Sequence, residues 1–573
     1  MPAQPPSNEA ALAKLISAAQ AHAASFIQSL PLRDSDLAEM NQALLASPET
    51  RQKLARLQDD YLHQWVAALR DSDRRQEPGD VDRRFSSPEW DELAWFRVVR
   101  GLYTLNSQYI SELAALPDLA PHTKRRLKFF SQQLVDAMSP TNNPLTNPES
   151  ISQAYRSQGD SLAQGARSFT ADLKRGRISM SDETHFEVGR NLAVTPGEVI
   201  FENELIQLIQ YRATTKKTNA RPLLIVPPFI NKYYILDLQP HNSFVRYCVE
   251  QGITTFIISW RNVSESLGHL TWDDYIARGV FDAIKAAQDI CRVQSVNALG
   301  YCVGGTLLAS ALAVKEAKNE HPVHSLTLLA SMLDFSDTGE ISAFVDGHYV
   351  GYCERQYAQH GVVSGSQLTN TFASLRANEL VWHYVVSNYL LGKPLRAFDL
   401  LYWNADSANL PGPLYAYYLR NMYLENRLRC PGSLRMHGEQ IDLGTIATPT
   451  MMVAARDDHI VPWHTAYQSM RLLGGDNRFV LAASGHVAGI VSPAGSSLRR
   501  YWANGEGKLP VQPGSWLSSA RETEGSWWPH WIAWLKPLSG DAVPAHATTG
   551  NKRYQPIEPA PGRYVRERID LEV

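Results

Sequence analysis

The sequence predicts an α/β protein, a largely parallel sheet with helices on both faces, preceded by a mostly helical N-terminal region. Three observations carry this. From Leu223 to Ala482 short apolar runs alternate with longer helical stretches. Residues 1–182 show helical spacing and no strand signals. A chain of 573 residues also exceeds what one compact core usually holds, so more than one domain is expected.

In the N-terminal part, apolar residues recur at helical spacing in Ala11 to Ile27, Leu54 to Leu69 and Trp90 to Leu113. Trp95, Val98, Leu102 and Leu105 share one side of the last of these. The turn residues of Ser139-Pro140-Thr141-Asn142-Asn143-Pro144 mark a loop. Residues 1–182 carry no phosphate loop, metal cluster or repeat and read as an interaction domain.

The catalytic region is expected over 183–573. Phe186 to Val188, Val199 to Phe201 and Leu205 to Tyr211 read as strands, the first two joined through the turn Pro196-Gly197. Leu223 to Val226 and Thr254 to Trp260 follow as strands. A helix is expected from Trp272 to Ile290, with Thr271 as N-cap and acids in the first turn. Next come a strand at Val296 to Leu299, a helix at Gly304 to Ala317 and a strand at Leu326 to Leu333. Strands at Thr450 to Ala455 and Phe479 to Ala482 close the series. Between about 334 and 449 the alternation lapses into an aromatic-rich stretch, expected to form a cap insertion over the sheet's carboxyl edge. A Trp cluster (Trp527, Trp528, Trp531, Trp534) precedes a Pro-rich, charged tail expected to be partly mobile.

Composition narrows the function. Basic and acidic residues number 55 and 58, a net charge of -3, which calls for no nucleic-acid or anionic-membrane partner. No apolar run is long enough to cross a bilayer, and no secretion signal is expected at the N-terminus. The five cysteines, Cys248, Cys291, Cys302, Cys353 and Cys430, lack metal-ligand or redox spacing. The expectation is a reducing, cytoplasmic setting with no metal and no cofactor.

One cysteine stands apart. The strand at Val296 to Leu299 runs into Gly300-Tyr301-Cys302-Val303-Gly304-Gly305 and then a helix. This is the G-x-nucleophile-x-G turn of an α/β-hydrolase fold, with Cys in place of Ser. Side chains on the flanking glycines would crowd the neighbouring strand and helix, and the helix N-terminus favours a thiolate at Cys302. In this fold the acid and then the base follow in chain order. Asp457 and Asp458 both follow the strand ending at Ala455, and spacing alone does not separate them. The base is expected on the glycine-flanked loop Ser484-Gly485-His486 after the last strand; the rivals His324, His459 and His464 do not follow it. For an oxyanion hole the backbone N–H of Val303 would act with one from Phe229, Ile230 or Asn231, since Pro227 and Pro228 have none to give; Ile230 is favoured.

At this point the residues resemble those of the polyhydroxyalkanoate (polyhydroxybutyrate) synthases. The matching stretches are the run from Pro227 to Leu238, Gly300 to Gly305, Leu333-Asp334-Phe335 and Tyr402-Trp403-Asn404-Ala405-Asp406-Ser407. Asp458-His459-Ile460-Val461-Pro462, Ser484-Gly485-His486 and Phe186 to Ala193 extend them. The resemblance is strongest to the self-sufficient class I type. It selects Asp458 as the acid and implies Cys302 as the acylated nucleophile with His486 as base. It further implies (R)-3-hydroxyacyl-CoA substrates, CoA release and a growing polyester chain. Cytoplasmic granules, a homodimer, and a dimer or granule role for residues 1–182 belong to the same expectation. Asn231, Tyr233 and Trp403 are candidate substrate or cap contacts. A thioesterase or polyester hydrolase on the same fold, and a non-catalytic granule-binding protein, are the rival readings.

Overall fold

The computed structural model describes residues 34–70, 82–504 and 509–569; the helix expected at Ala11 to Ile27 lies outside them. The chain divides into two compact units, one of residues up to Ala171 with Arg376–Pro394, the other of Asp172–Leu375 with Leu395–Val573. The division falls within the helix Asp160–Arg175, ahead of the boundary expected at 182. A piece of the expected cap insertion belongs with the first unit.

The first unit is helical. Helices α1 (Asp34–Ala46), α2 (Pro48–Arg70), α3 (Ala94–Ala115) and α4 (Pro121–Ala137) form its main part. Phe85, Trp90, Phe96 and Tyr103 are buried together, with the Phe85 and Trp90 rings edge-on at 4.8 Å. The Tyr103 hydroxyl donates to the Val135 carbonyl at 3.0 Å, so the buried polar group is satisfied. Trp95, expected on the apolar side of its helix, is instead 62% exposed. The predicted loop at 139–144 contains a short 3₁₀ turn at Pro140–Asn142.

The second unit is built on an eleven-stranded sheet. In chain order its strands are β1 (Gly197–Glu202), β2 (Ile206–Tyr211), β3 (Leu223–Val226), β4 (Thr255–Trp260), β5 (Val296–Tyr301) and β6 (Val323–Leu329). Then come β7 (Thr450–Ala455), β8 (Asn477–Ala482), β9 (Arg500–Ala503), β10 (Arg521–Glu524) and β11 (Glu558–Pro559). The spatial order is β10-β9-β8-β7-β6-β5-β3-β4-β2-β1-β11. The six central strands, β8 to β4 in that order, are parallel, and the flanking strands pair antiparallel.

Both faces of the central strands are buried, which explains their continuous apolar sequences. Leu224, Val226, Ala298, Met452 and Ala454 belong to one core layer. Leu223, Ile225, Leu299, Tyr301, Met451 and Val453 belong to the other. Helix α5 (Asp282–Cys291) continues a run that begins at Trp272 and includes a π-helical segment at Tyr275–Phe281. Thr271 and Asp274 close its start as a capping box. Helix α6 (Val303–Ala317) is buried from Val303 to Val314. Each Leu or Ile so enclosed contributes about 1.5–3 kcal/mol relative to exposure, so Leu307→Ala would cost about 2–5 kcal/mol.

Three local expectations are corrected. Phe186-Glu187-Val188 is not a strand; Val188 makes only an isolated bridge to Leu192, and Glu187 instead anchors a turn through its carbonyl. The strand expected at Leu326 to Leu333 begins and ends earlier, at Val323–Leu329, because Ala330 takes a positive φ of 42°. The tail is not loose over its described length. Glu558–Pro559 pairs with β1, and Tyr564 and Val565 are buried. Helix α7 (Trp463–Met470) and helix α8 (Trp528–Leu538) complete the layers, the latter burying Trp528, Trp531 and Trp534.

Candidate active site

Strand β5 delivers its last residue into a tight turn, and helix α6 begins one residue later. Cys302 sits between them at φ 52°, ψ -128°, a conformation that L side chains rarely adopt. Its N–H donates to the Leu329 carbonyl at 2.9 Å, and its carbonyl accepts from Gly305 N–H at 2.9 Å, so both neighbours hold the strained residue. A Cβ on Gly300 would strike the Gly305 backbone, and one on Gly304 would strike the carbonyls of Val226 and Pro227. Only hydrogen fits at these two flanks. The N–H groups of Val303 and Gly304 come before the first bond of helix α6, and the helix presents its positive dipole end beside the sulfur.

Strand β7 ends at Ala455, and Asp458 follows in the turn. One carboxylate oxygen accepts from the N–H groups of Ile460 and Val461, both at 2.8 Å. The other lies 2.6 Å from His486 Nδ1. Asp457, which sequence spacing did not separate from it, is exposed. His486 comes on the loop after β8, the last parallel strand; β9 and β10 follow it, so the base does not follow the final strand of the sheet. The Tyr301 ring stacks on the imidazole with centroids 5.7 Å apart.

With Nδ1 engaged by Asp458, Nε2 is left for the sulfur. Burial alone would push the His486 pKa down, but the Asp458 carboxylate and the Cys302 sulfur outweigh it by charge and hydrogen bonding and raise it well above the usual value. A buried imidazole whose charged form is favoured by a neighbouring carboxylate suits proton uptake from a thiol.

A small cavity of about 80 Å³ opens on the sulfur, bounded by Cys302, His486, Ile230, Asn231, Trp403 and Phe372 among others. The loop after β3 that carries Ile230 and Asn231 is tied at several points. Trp260 Nε1 donates to the Pro227 carbonyl at 2.9 Å, Ala408 N–H donates to the Ile230 carbonyl at 2.9 Å, and Trp403 Nε1 donates to the Lys232 carbonyl at 2.7 Å.

Known proteins resemble this chain over most of its length. The family described as the poly-beta-hydroxybutyrate polymerase (PhaC) N-terminus matches residues 81–248, and the alpha/beta hydrolase fold matches residues 221–493. A poly(3-hydroxyalkanoate) polymerase subunit PhaC of Cupriavidus necator is 49% identical over 492 residues, 85% of this chain and 83% of the relative. The protein of the same description from Rhizobium meliloti is 36% identical over 543 residues, 93% of this chain and 88% of the relative. A poly(3-hydroxyalkanoate) polymerase of Methylorubrum extorquens is 39% identical over 495 residues, 86% of this chain and 81% of the relative.

The chain belongs to the poly(3-hydroxyalkanoate) polymerase family. Membership places it among acyltransferase-type synthases on the α/β-hydrolase fold.

In this polymerase the structure brings Cys302, Asp458, His486, Ile230, Asn231 and Trp403 to one place. Val303 starts helix α6 directly after the sulfur-bearing residue. Tyr233 is not with them: it is 2% exposed in the core layer with Tyr211 and Leu236, away from the cavity wall. Its place in a 3₁₀ turn after the loop points it into that core instead. Sequence reasoning missed Thr369, Asn404, Ile460 and Val487 as wall residues. Asn404, Ile460 and Val487 stand within two positions of residues already singled out. Thr369, on the distant helix Gly365–Ser374, had no such signal. Among the described residues no group of His, Cys, Asp or Glu is arranged to hold a metal ion, and no helix is long and apolar enough to cross a membrane.

Proposed function

We propose that this polymerase converts (R)-3-hydroxyacyl-CoA into polyhydroxyalkanoate with release of CoA, through an acyl thioester on Cys302. The observation that supports it most is the pairing of His486 with Asp458 at 2.6 Å beside a cysteine held in a strained turn. His486 takes the thiol proton, and the thiolate adds to the thioester carbonyl. The N–H groups of Val303 and Ile230 take up the charge forming on oxygen. The C–S bond to CoA then breaks, and His486 returns the proton to the leaving sulfur. One thioester has replaced another, so the acyl group stays activated.

The 3-hydroxyl of a second acyl unit next gives its proton to His486 and attacks the carbonyl on Cys302. An ester bond forms, the Cys302–acyl bond breaks, and the sulfur regains a proton from the imidazole. Asp458 orients the ring and balances its charge throughout. Water entering at this stage would hydrolyse the acyl-enzyme. The largely apolar lining of the cavity disfavours its entry. We place the cap in the 334–449 insertion, without the Arg376–Pro394 piece that belongs to the helical unit.

The same reading puts a homodimer at the surface of cytoplasmic polyester granules. Leu93, Trp95 and Tyr155, all more than half exposed on the helical unit, offer apolar side chains for contact with polyester. Incubation with 3-hydroxybutyryl-CoA tests the reaction. Insoluble polyester with one CoA released per unit is expected. Free hydroxy acid in its place would make the protein a thioesterase. A Cys302→Ala protein that released CoA at the native rate would remove the mechanism.

A further inference from the structure

Lys232 is a buried cation that the reaction above does not use. It follows Asn231 directly and is 3% exposed. Its ammonium donates to the backbone carbonyls of Val565, at 3.3 Å, and of Glu567. Its own carbonyl accepts from Trp403 Nε1 at 2.7 Å, and Trp403 and Asn231 both bound the Cys302 cavity. Asn231 also forms a β-bridge to Ser407, and Asp406, which accepts from the Tyr234 hydroxyl at 2.9 Å, supplies the opposite charge nearby. Three segments distant in sequence therefore meet at one residue, the tail 564–568 through the ammonium of Lys232 and the segment 402–408 through its carbonyl, with Lys232 itself on the loop 227–232.

Burying an ammonium is costly unless charge and hydrogen bonds compensate it. Burial pushes the Lys232 pKa down, and the charges of Asp406 and Glu567 pull it back. An apolar side chain would fill the same space at less cost but would hold no carbonyl. What the cation adds is direction, since it fixes the tail's backbone to the loop that faces the sulfur.

We infer that Lys232 is a positioning residue: its ammonium ties the tail to the Pro227–Asn231 loop and so sets the Ile230 and Asn231 backbone against the reacting carbonyl. This rests on the acyl-transfer reading given above. The tie acts on the donor side of the cavity and leaves the Cys302–His486–Asp458 arrangement alone. Loss of the tie therefore lowers kcat through misplaced backbone donors, with the reactivity of the sulfur unchanged.

The test uses the full-length chain carrying Lys232→Met and, separately, Tyr564→Ala. Tyr564 anchors the tail from outside the cavity, through its hydroxyl on the Asn203 carbonyl at 2.8 Å. Each variant is measured for CoA release from 3-hydroxybutyryl-CoA, for alkylation of Cys302 by iodoacetamide, and for thermal melting by circular dichroism. Lys232→Met is expected to lower kcat about tenfold or more, as small displacements in an active site do, with KM and the alkylation rate within about twofold of native. Tyr564→Ala should reproduce the effect, and the double variant should lose little beyond either one.

A folded Lys232→Met protein with native kcat overturns the inference. So do losses that multiply in the double variant, or an alkylation rate that falls in step with kcat. Should Lys232→Met fail to fold, Tyr564→Ala alone decides by the same criteria. A native chain that releases no CoA defeats the proposed reaction itself; an active native chain beside an equally active Lys232→Met defeats only the positioning role.

Discussion

His486 Nδ1 stands 2.6 Å from Asp458 Oδ2, and both side chains are almost wholly out of solvent. The ring and the carboxylate thus depend on each other: the carboxylate alone in that place would be an unpaired buried charge, and its charge is what favours protonation of the ring.

Replacing Asp458 by Asn is expected to lower CoA release about 10²–10⁴-fold, by loss of the ring's orientation and of its countercharge. A stability signature accompanies it. The folded-state pKa of His486 is raised above its unfolded value of about 6.5, so the pairing stabilises the fold fully below about pH 6.5 and loses that effect as pH climbs through the raised midpoint. The gap in melting temperature between native and Asp458→Asn should be widest near pH 6 and narrow in alkaline buffer. A gap that widened with pH would contradict this.

Cys302→Ser exchanges a thioester acceptor for an oxygen-ester one. An acyl group on the introduced hydroxyl would be a poor donor to the next hydroxyl, so steady-state CoA release should fall at least about a thousandfold. Quenched samples analysed by mass spectrometry should show any residual acyl group resting on the substituted position and no polymer.

Phe372 bounds a cavity of about 80 Å³, against about 300 Å³ or more in ordinary ligand sites. Phe372→Ala should enlarge it where an acyl side chain would lie. Relative kcat/KM for 3-hydroxyhexanoyl-CoA over 3-hydroxybutyryl-CoA is expected to rise about tenfold. An unchanged ratio would place the acyl side chain elsewhere.

Asp237 is fully buried, and that burial pushes its carboxyl up to about 6 against the pull of hydrogen bonds from Ser243 and Thr195. A raised carboxyl pKa stabilises the fold below the unfolded value of about 3.9 and loses that contribution as pH rises through about 6. Relative to Asp237→Asn, the native chain should lose on the order of 3 kcal/mol between pH 4 and pH 7, read from urea midpoints at each pH.

Much of the site was legible because its signals are local. Glycines on either side of Cys302, a strand before it and a helix after it all lie within about twenty residues. The late strands that present Asp458 and His486 also stand out as short apolar runs. The choice between Asp457 and Asp458 needed the family resemblance, because it turns on which side chain the backbone N–H groups of Ile460 and Val461 receive. What escaped was non-local. Thr369 and Phe372 reach the cavity by tertiary packing, Arg376–Pro394 joins the helical unit across the chain, and β11 pairs with β1 from more than 350 residues away. Tyr233 reads as a site residue by proximity in sequence, yet one 3₁₀ turn removes it from the cavity.

Strand β5 is buried throughout, and helix α6 is buried for its first twelve residues. The sulfur between them therefore has no slack, like a needle clamped at both ends. On the proposed reaction the catalyst cannot follow its lengthening product. After each addition the polyester must slide one repeat past a stationary atom, and the give must come from the facing wall, where Thr369 and Phe372 stand on a partly exposed helix.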